Sequence, residues 1–319
     1  MGIKPDVCVY HPSDTKVTGT ESSLVEIIIE FKWPPSNHPF MWSNDNDNEQ
    51  HFSDLPEAAF DTLGQITDYV ATHLSSQFRT HIYSVLLGKR TATILRWDKA
   101  GTIITEPIDY NTSPHLVKFF RHYSCASPAM RGMDQSVSEP TLAEVAVARQ
   151  VLELDKKAQL FKLEILRAGH TSNYFITCAP IASLYTPPGC GTRVFHAYDI
   201  AEGKKVLLKD SWRVDLPDIQ PEGLTYETLM KANVRNIPHS LASGDIKTDK
   251  YHATMTNKYD QSPIASTHFI PHQHYHLVLD IIGTPLTKFA SSYELVATVC
   301  DALVGEFQFG CKEMTLIDL

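Results

Sequence analysis

The sequence predicts an α+β protein built from two regions. Three observations carry this. Its 319 residues are enough for two domains of ordinary size, each with its own core. Both halves mix segments of strand period with segments of helix period, and no internal repeat runs through them. Apolar residues make up 43% and charged residues 20%, the balance of a folded globular chain.

The elements follow in order. Residues 6–11 (DVCVYH) form a short strand, and 24–33 (LVEIIIEFKW) a stronger one, closed by Pro34-Pro35. The polar stretch 36–54 is a loop. In 56–77 the apolar positions Phe60, Leu63, Ile66, Val70 and Leu74 recur every three or four residues, which predicts a helix with Pro56 near its start. Three strands follow at 81–87, 91–97 and 102–106, with Gly88 and Gly101 in the breaks, and then an amphipathic helix over 114–125. Pro128 and Gly132 interrupt 126–138. A helix over 140–154 would hold Pro140 in its first turn, where a missing N–H costs nothing. Strands are expected at 159–166, 173–179, 193–198, 205–209 and 275–281, helices at 222–233 and 291–304, and a loop at 246–267. This gives a first domain over 1–135, a connecting helix and linker over 136–158, and a second region over 159–319.

The net charge of −9 disfavours non-specific binding to nucleic acid or anionic membrane by the whole surface. Six cysteines, with no C-x-x-C pair and no zinc spacing, suit reduced intracellular thiols. MGIKPDVCVY lacks the features of a secretory signal, and Asp6 breaks the myristoylation pattern. No apolar run approaches the ~20 residues that span a bilayer. An intracellular protein, cytoplasmic or nuclear, is expected.

The first region holds a carboxylate constellation. Pro5-Asp6 opens the first strand, and Glu30-Phe31-Lys32 ends the second. Strand alternation puts Glu30 and Lys32 on one face. Two carboxylates on neighbouring strands make a hard-oxygen site for magnesium, and a nearby lysine can steady water or phosphate in phosphodiester hydrolysis. Gln65 and Tyr69 stand four apart on the next helix and share a face. This pattern resembles the PD-(D/E)-x-K nuclease fold, one branch of which carries a Q-x-x-x-Y helix. Only five residues precede Asp6, which leaves no room for the helix that precedes the first strand in that fold. A nuclease-derived scaffold is therefore expected, and it is the one region through which nucleic acid could be met.

The second region holds a phosphate-grip pattern. Val206-Leu207-Leu208-Lys209 is an apolar strand ending in a lysine, whose charge calls for an anionic partner. Glu222 opens the next helix, with Tyr226, Leu229 and Met230 on one stripe, and Glu227 is the rival partner. Upstream, Gly189 and Gly191 lie in a turn between strand-like segments, where glycine lets backbone approach phosphate. Further segments carry a more specific resemblance: Lys209-Asp210-Ser211-Trp212-Arg213, the Glu222-Gly223 step, HLVLDIIGTPL at 276–286 and SSYELVATVCDAL at 291–303. In the first half, Lys4 to Asp6, RTHIYSVLL at 79–87, LRWDKAG at 95–101 and RGMD at 131–134 agree in the same order. Together these resemble the fungal-type protein kinase family along almost the whole chain.

The resemblance implies a truncated kinase small lobe with its hinge and first large-lobe helix. It implies ATP with magnesium, gripped through Gly189, Gly191, Lys209 and Glu222, and phosphorylation of serine or threonine in a protein substrate. Nothing after Ala302 matches an H-R-D-like loop, and Asp318 lacks its flanking residues. None of the kinase catalytic loop is present, so weak or absent ATP binding and no turnover are expected. Two alternatives stand beside this: a regulatory or interaction pseudoenzyme, and a magnesium-dependent nuclease acting through the first region. Near the hinge, His268, His272, His274 and His276 lie close together. The last three alternate, and on a strand they would share a face able to bind a transition metal; the preferred reading is a loop that leads into the hinge strand.

Overall fold

The computed structural model describes residues 4–14, 17, 19–40, 55–166, 172–183, 187–247, 249–259, 269–284 and 286–309. His268, Asp318, most of the expected loop over 36–54 and the end of the one over 246–267 lie outside these residues. The chain is a mixed α+β protein with two sheets. It divides into two compact units: 1–135 with 183–191 and 247–273, and 136–182 with 192–246 and 274–319.

The first unit is built on a mixed sheet in the order β1-β2-β3-β4-β5. β1 (Val7–Tyr10) runs antiparallel to β2 (Val25–Phe31). The isoleucine run makes β2 interior: its first six residues are all buried. β2 pairs in parallel with β3 (Ile82–Leu87), and α1 (Glu57–Ser76) lies between them in the chain. A parallel pair needs such a crossover, because a tight turn cannot reverse the chain twice. β4 (Thr91–Asp98) and β5 (Gly101–Ile104) continue as antiparallel hairpins, and the short β6 (Ile108–Asp109) also pairs with β4.

Helices cover both faces of this sheet. Ile66, Val70 and Leu74 of α1 pack with Ile82, Leu86, Leu95 and Trp97. On the other face Ile27, Ile29, Val85 and Ile94 pack with Phe119, Phe120 and Tyr123 of α2 (His115–Cys125). The face of α1 differs from the expected stripe in its first turn. Ala59 and Thr62 are buried there, whereas Phe60 is 58% exposed. Positions 59, 62, 66, 70 and 73 follow the 3.6-residue period, and position 60 falls about 100° to one side. Residues 247–273 are held to this unit by Asp98, whose Oδ2 accepts from the backbone N–H groups of Met255 (2.8 Å) and Thr256 (3.0 Å).

The second unit begins with β7 (Val137–Ser138) and α3 (Leu142–Leu152). Thr141 caps α3: its Oγ1 accepts from Glu144 N–H, and Glu144 Oε2 accepts from Thr141 N–H at 2.8 Å. Pro140 thus precedes the cap instead of occupying the first turn, because the T-x-x-E capping box fixes the start. The sheet runs β13-β14-β12-β11-β9-β8-β7. Its strands are β8 (Phe161–Leu166), β9 (Ser172–Thr177), β11 (Arg193–Asp199), β12 (Lys204–Val214), β13 (Ser240–Asp245) and β14 (His272–Leu279), with the two-residue β10 (Ala182–Ser183) on β11. α3 packs Ala148 and Leu152 against Ile176 and Tyr198. α4 (Glu222–Lys231) sets Tyr226 against Leu207 and Tyr275. Leu229 is buried, but Met230 is 40% exposed and lies off the packed stripe. α5 (Ser292–Phe309) ends the described chain.

β13 is a strand that the sequence does not announce. SLASGD is poor in β-branched and aromatic residues, and its strand state comes from antiparallel pairing with β14. The polar stretch after it holds two short 3-10 turns, Lys250–His252 and Thr256–Tyr259.

Candidate functional site

Lys209 sits on β12 opposite Val194 of β11. Glu222 is the first residue of α4, after Pro221 fixes the approach of the chain. The two side chains meet: Lys209 Nζ donates to Glu222 Oε2 at 2.7 Å. Both remain partly open, at 27% and 29% exposure, so an anion could reach the ammonium. Glu227 lies elsewhere, 3.9 Å from Lys231 on the solvent side. The choice between the two glutamates is settled by the helix start.

The seat of Glu222 depends on its neighbour. Gly223 N–H donates to Tyr275 Oη at 2.9 Å. A Cβ on Gly223 would collide with the Ser243 side chain and come within 2.5 Å of Tyr275 Oη. Only glycine lets the first turn of α4 lie this close to β13 and β14. Gly223→Ala is therefore expected to cost about 1–3 kcal/mol by overpacking, read as a lower denaturant midpoint at unchanged slope.

Gly189 and Gly191 belong to the first unit. Both have positive φ, +100° and +49°. Gly189 N–H donates to the Lys99 carbonyl at 2.8 Å, and a Cβ on Gly191 would collide with the Lys99 side chain. The turn is thus built for close packing on Lys99.

The carboxylate constellation of the first unit is drawn into one hydrogen-bonded row. Asp6 Oδ2 accepts from Phe31 N–H at 2.8 Å, and Asp6 N–H reaches Glu30 Oε2 at 3.4 Å. Lys32 Nζ donates to Glu30 Oε1 (2.7 Å) and to Gln65 Oε1 (2.8 Å). Gln65 Nε2 donates to Tyr69 Oη (2.6 Å), which in turn donates to the Lys4 carbonyl (2.9 Å). Glu30 is only 3% exposed, and burial pushes the Tyr69 phenol up.

Two buried networks were legible only as motif letters. In the first unit Glu26 accepts from Arg131 Nη1 (3.0 Å) and Tyr123 Oη (2.6 Å), with Arg79 Nη2 at 3.3 Å. These arginines open the RTH and RGMD segments. In the second unit Asp210 accepts from Arg193 Nη2 (2.5 Å) and His274 Nε2 (2.6 Å), and His276 Nε2 is 3.8 Å away. Burial alone would raise the Asp210 carboxyl, but Arg193, His274 and His276 outweigh it and hold it well below the usual range. Trp212 stacks flat on His274, with centroids 4.6 Å apart. His272 turns instead to the Ile270 carbonyl at 2.9 Å.

The five described cysteines are free. Among the described residues no helix is long and apolar enough to cross a membrane. No match is found among curated proteins or among solved structures. The fungal protein kinase family, however, matches residues 36–313, well over half of the chain. That span takes in the Lys209–Glu222 pair and the Gly223 step on which it is seated, and the chain belongs to the fungal protein kinase family.

Proposed function

We propose that the second unit grips the phosphates of ATP; the phosphoryl transfer to serine or threonine of a protein that the family implies needs, besides this grip, catalytic-loop residues that the described site does not supply. The observation that carries this is the 2.7 Å pair between Lys209 and Glu222, formed by a sheet strand and the first turn of the next helix. An ammonium this exposed does not need an ion pair for its own solvation, and such a pair contributes little to folding. Its use is geometric: Glu222 fixes where the Lys209 charge points. Bound ATP, with its magnesium, would supply the transferable phosphoryl group. Lys209 would hold the α- and β-phosphates, and Glu222 would hold Lys209.

The test is thermal unfolding with increasing magnesium-ATP. Saturation at a hundredfold over Kd is expected to add about 2.7 kcal/mol. Lys209→Ala should keep the basal Tm and lose the shift. A wild type that unfolds at the same temperature with and without ATP would leave the interaction-module reading in its place.

The row from Asp6 to Tyr69 supports a second reading, a magnesium-dependent phosphodiesterase of PD-(D/E)-x-K type. Lys32 is held between Glu30 and Gln65 beside two carboxylates, as such a site would require. Cleavage of DNA or RNA with magnesium is then expected to fall by about a hundredfold or more in Glu30→Gln, since metal-held charge is worth several kcal/mol. Absence of cleavage by the wild type would leave this region as a scaffold.

A further inference from the structure

The second unit carries a buried cluster for which the nucleotide grip has no use. His274 and His276 alternate on β14, so their rings lie on one face of the sheet. Asp210, on the neighbouring β12, meets both there. The three potential ligand atoms lie within 4.8 Å of one another, and each residue is 1% exposed.

We propose that Asp210, His274 and His276 form a transition-metal site, and that zinc is the ion that fits it. The donor set argues for this. Two imidazole nitrogens and one carboxylate oxygen suit a borderline cation, whereas magnesium and calcium prefer oxygen alone. The spacing also agrees. Zinc held tetrahedrally at ~2.0–2.1 Å needs ligand atoms about 3.3 Å apart. The present separations from Asp210 Oδ1, 2.6 Å to His274 and 3.8 Å to His276, bracket that value. Small side-chain rotations would admit the ion in place of the hydrogen between His274 and Asp210.

The surroundings are those of a supported site. Arg193 takes Asp210 Oδ2, which turns Oδ1 toward the histidines. Trp212 lies within 4° of parallel to the His274 ring and fixes its plane. Such outer partners orient ligands and tune affinity. Arg193 also adds positive charge beside the ion. A zinc-bound water titrates near pH 7, so hydroxide in the fourth position would reduce the excess charge. Three protein ligands leave the fourth place of a tetrahedral zinc to be filled by water or a further side chain.

The test uses the full chain, stripped with a chelator and titrated separately with zinc and cobalt(II). Bound metal is counted by mass spectrometry after gel filtration, and cobalt is followed by its visible ligand-field bands. One equivalent with tetrahedral cobalt bands is expected. His276→Ala, checked for folding by circular dichroism, should lose stoichiometric binding. Arg193→Gln, which leaves all three ligands in place, should bind about 10–100-fold more weakly. The wild-type count stands even where a variant fails to fold. Folded wild type that retains neither metal overturns the proposal, and so does undiminished binding in folded His276→Ala.

Discussion

Replacing Glu26 with alanine is expected to remove about 3–5 kcal/mol from the stability of the first unit. Glu26 is 2% exposed, and the Arg79 side chain beside it has no exposure at all. Arg131 and Tyr123 donate to the same carboxylate. Burial keeps the Tyr123 phenol protonated, so it can donate. The intact network adds little net stability, because its desolvation cost offsets most of the Coulomb gain. Removing the anion alone is another matter: the fully buried Arg79 and the largely buried Arg131 guanidinium groups then stay without it. The cost should appear in chemical denaturation as a lower midpoint. Glu26→Gln should fall between, since it keeps one acceptor oxygen but not the charge. An alanine variant within 1 kcal/mol of wild type, on the order of an ordinary surface change, would contradict this account of the core.

Asp210→Ala should be of similar size, about 3–5 kcal/mol, and should act on the second unit. Asp210 is 1% exposed and faces Arg193, His274 and His276. Without it, the Arg193 charge loses its carboxylate and His274 its 2.6 Å acceptor. Tryptophan fluorescence, read in a background that keeps Trp212 and replaces the other three tryptophans, reports the event locally, because Trp212 stacks on the His274 ring. A destabilised variant with unchanged Trp212 emission would place the damage elsewhere.

These two networks mark where the sequence stops being readable. The isoleucine run of β2 and the periodicity of α1 are local signals, and both appear as elements where the pattern puts them. The start of α4 at Glu222 is also local, and it decides which glutamate meets Lys209. The row from Asp6 to Tyr69 follows from strand alternation and helix spacing. By contrast, Asp210 meets a histidine 64 positions away, and Glu26 meets a tyrosine 97 positions away. No periodicity encodes such pairings, and the letters D in KDSW and E in LVEI look like ordinary polar positions. β13 is hidden for the opposite reason. Its residues lack strand propensity, and its neighbour supplies the conformation. The nucleotide expectation drawn from the sequence weighed the catalytic loop most heavily. The structure draws attention to the grip itself, with Lys209 and Glu222 already joined.

The most direct measurement is covalent labelling by an acyl-phosphate derivative of ATP, followed by peptide mapping. The reagent acylates a lysine amine that lies beside the bound phosphates. Modification concentrated at Lys209, and suppressed by excess ATP, is the predicted result. Labelling spread over other lysines, indifferent to ATP, would contradict the assignment of the second unit as a phosphate grip.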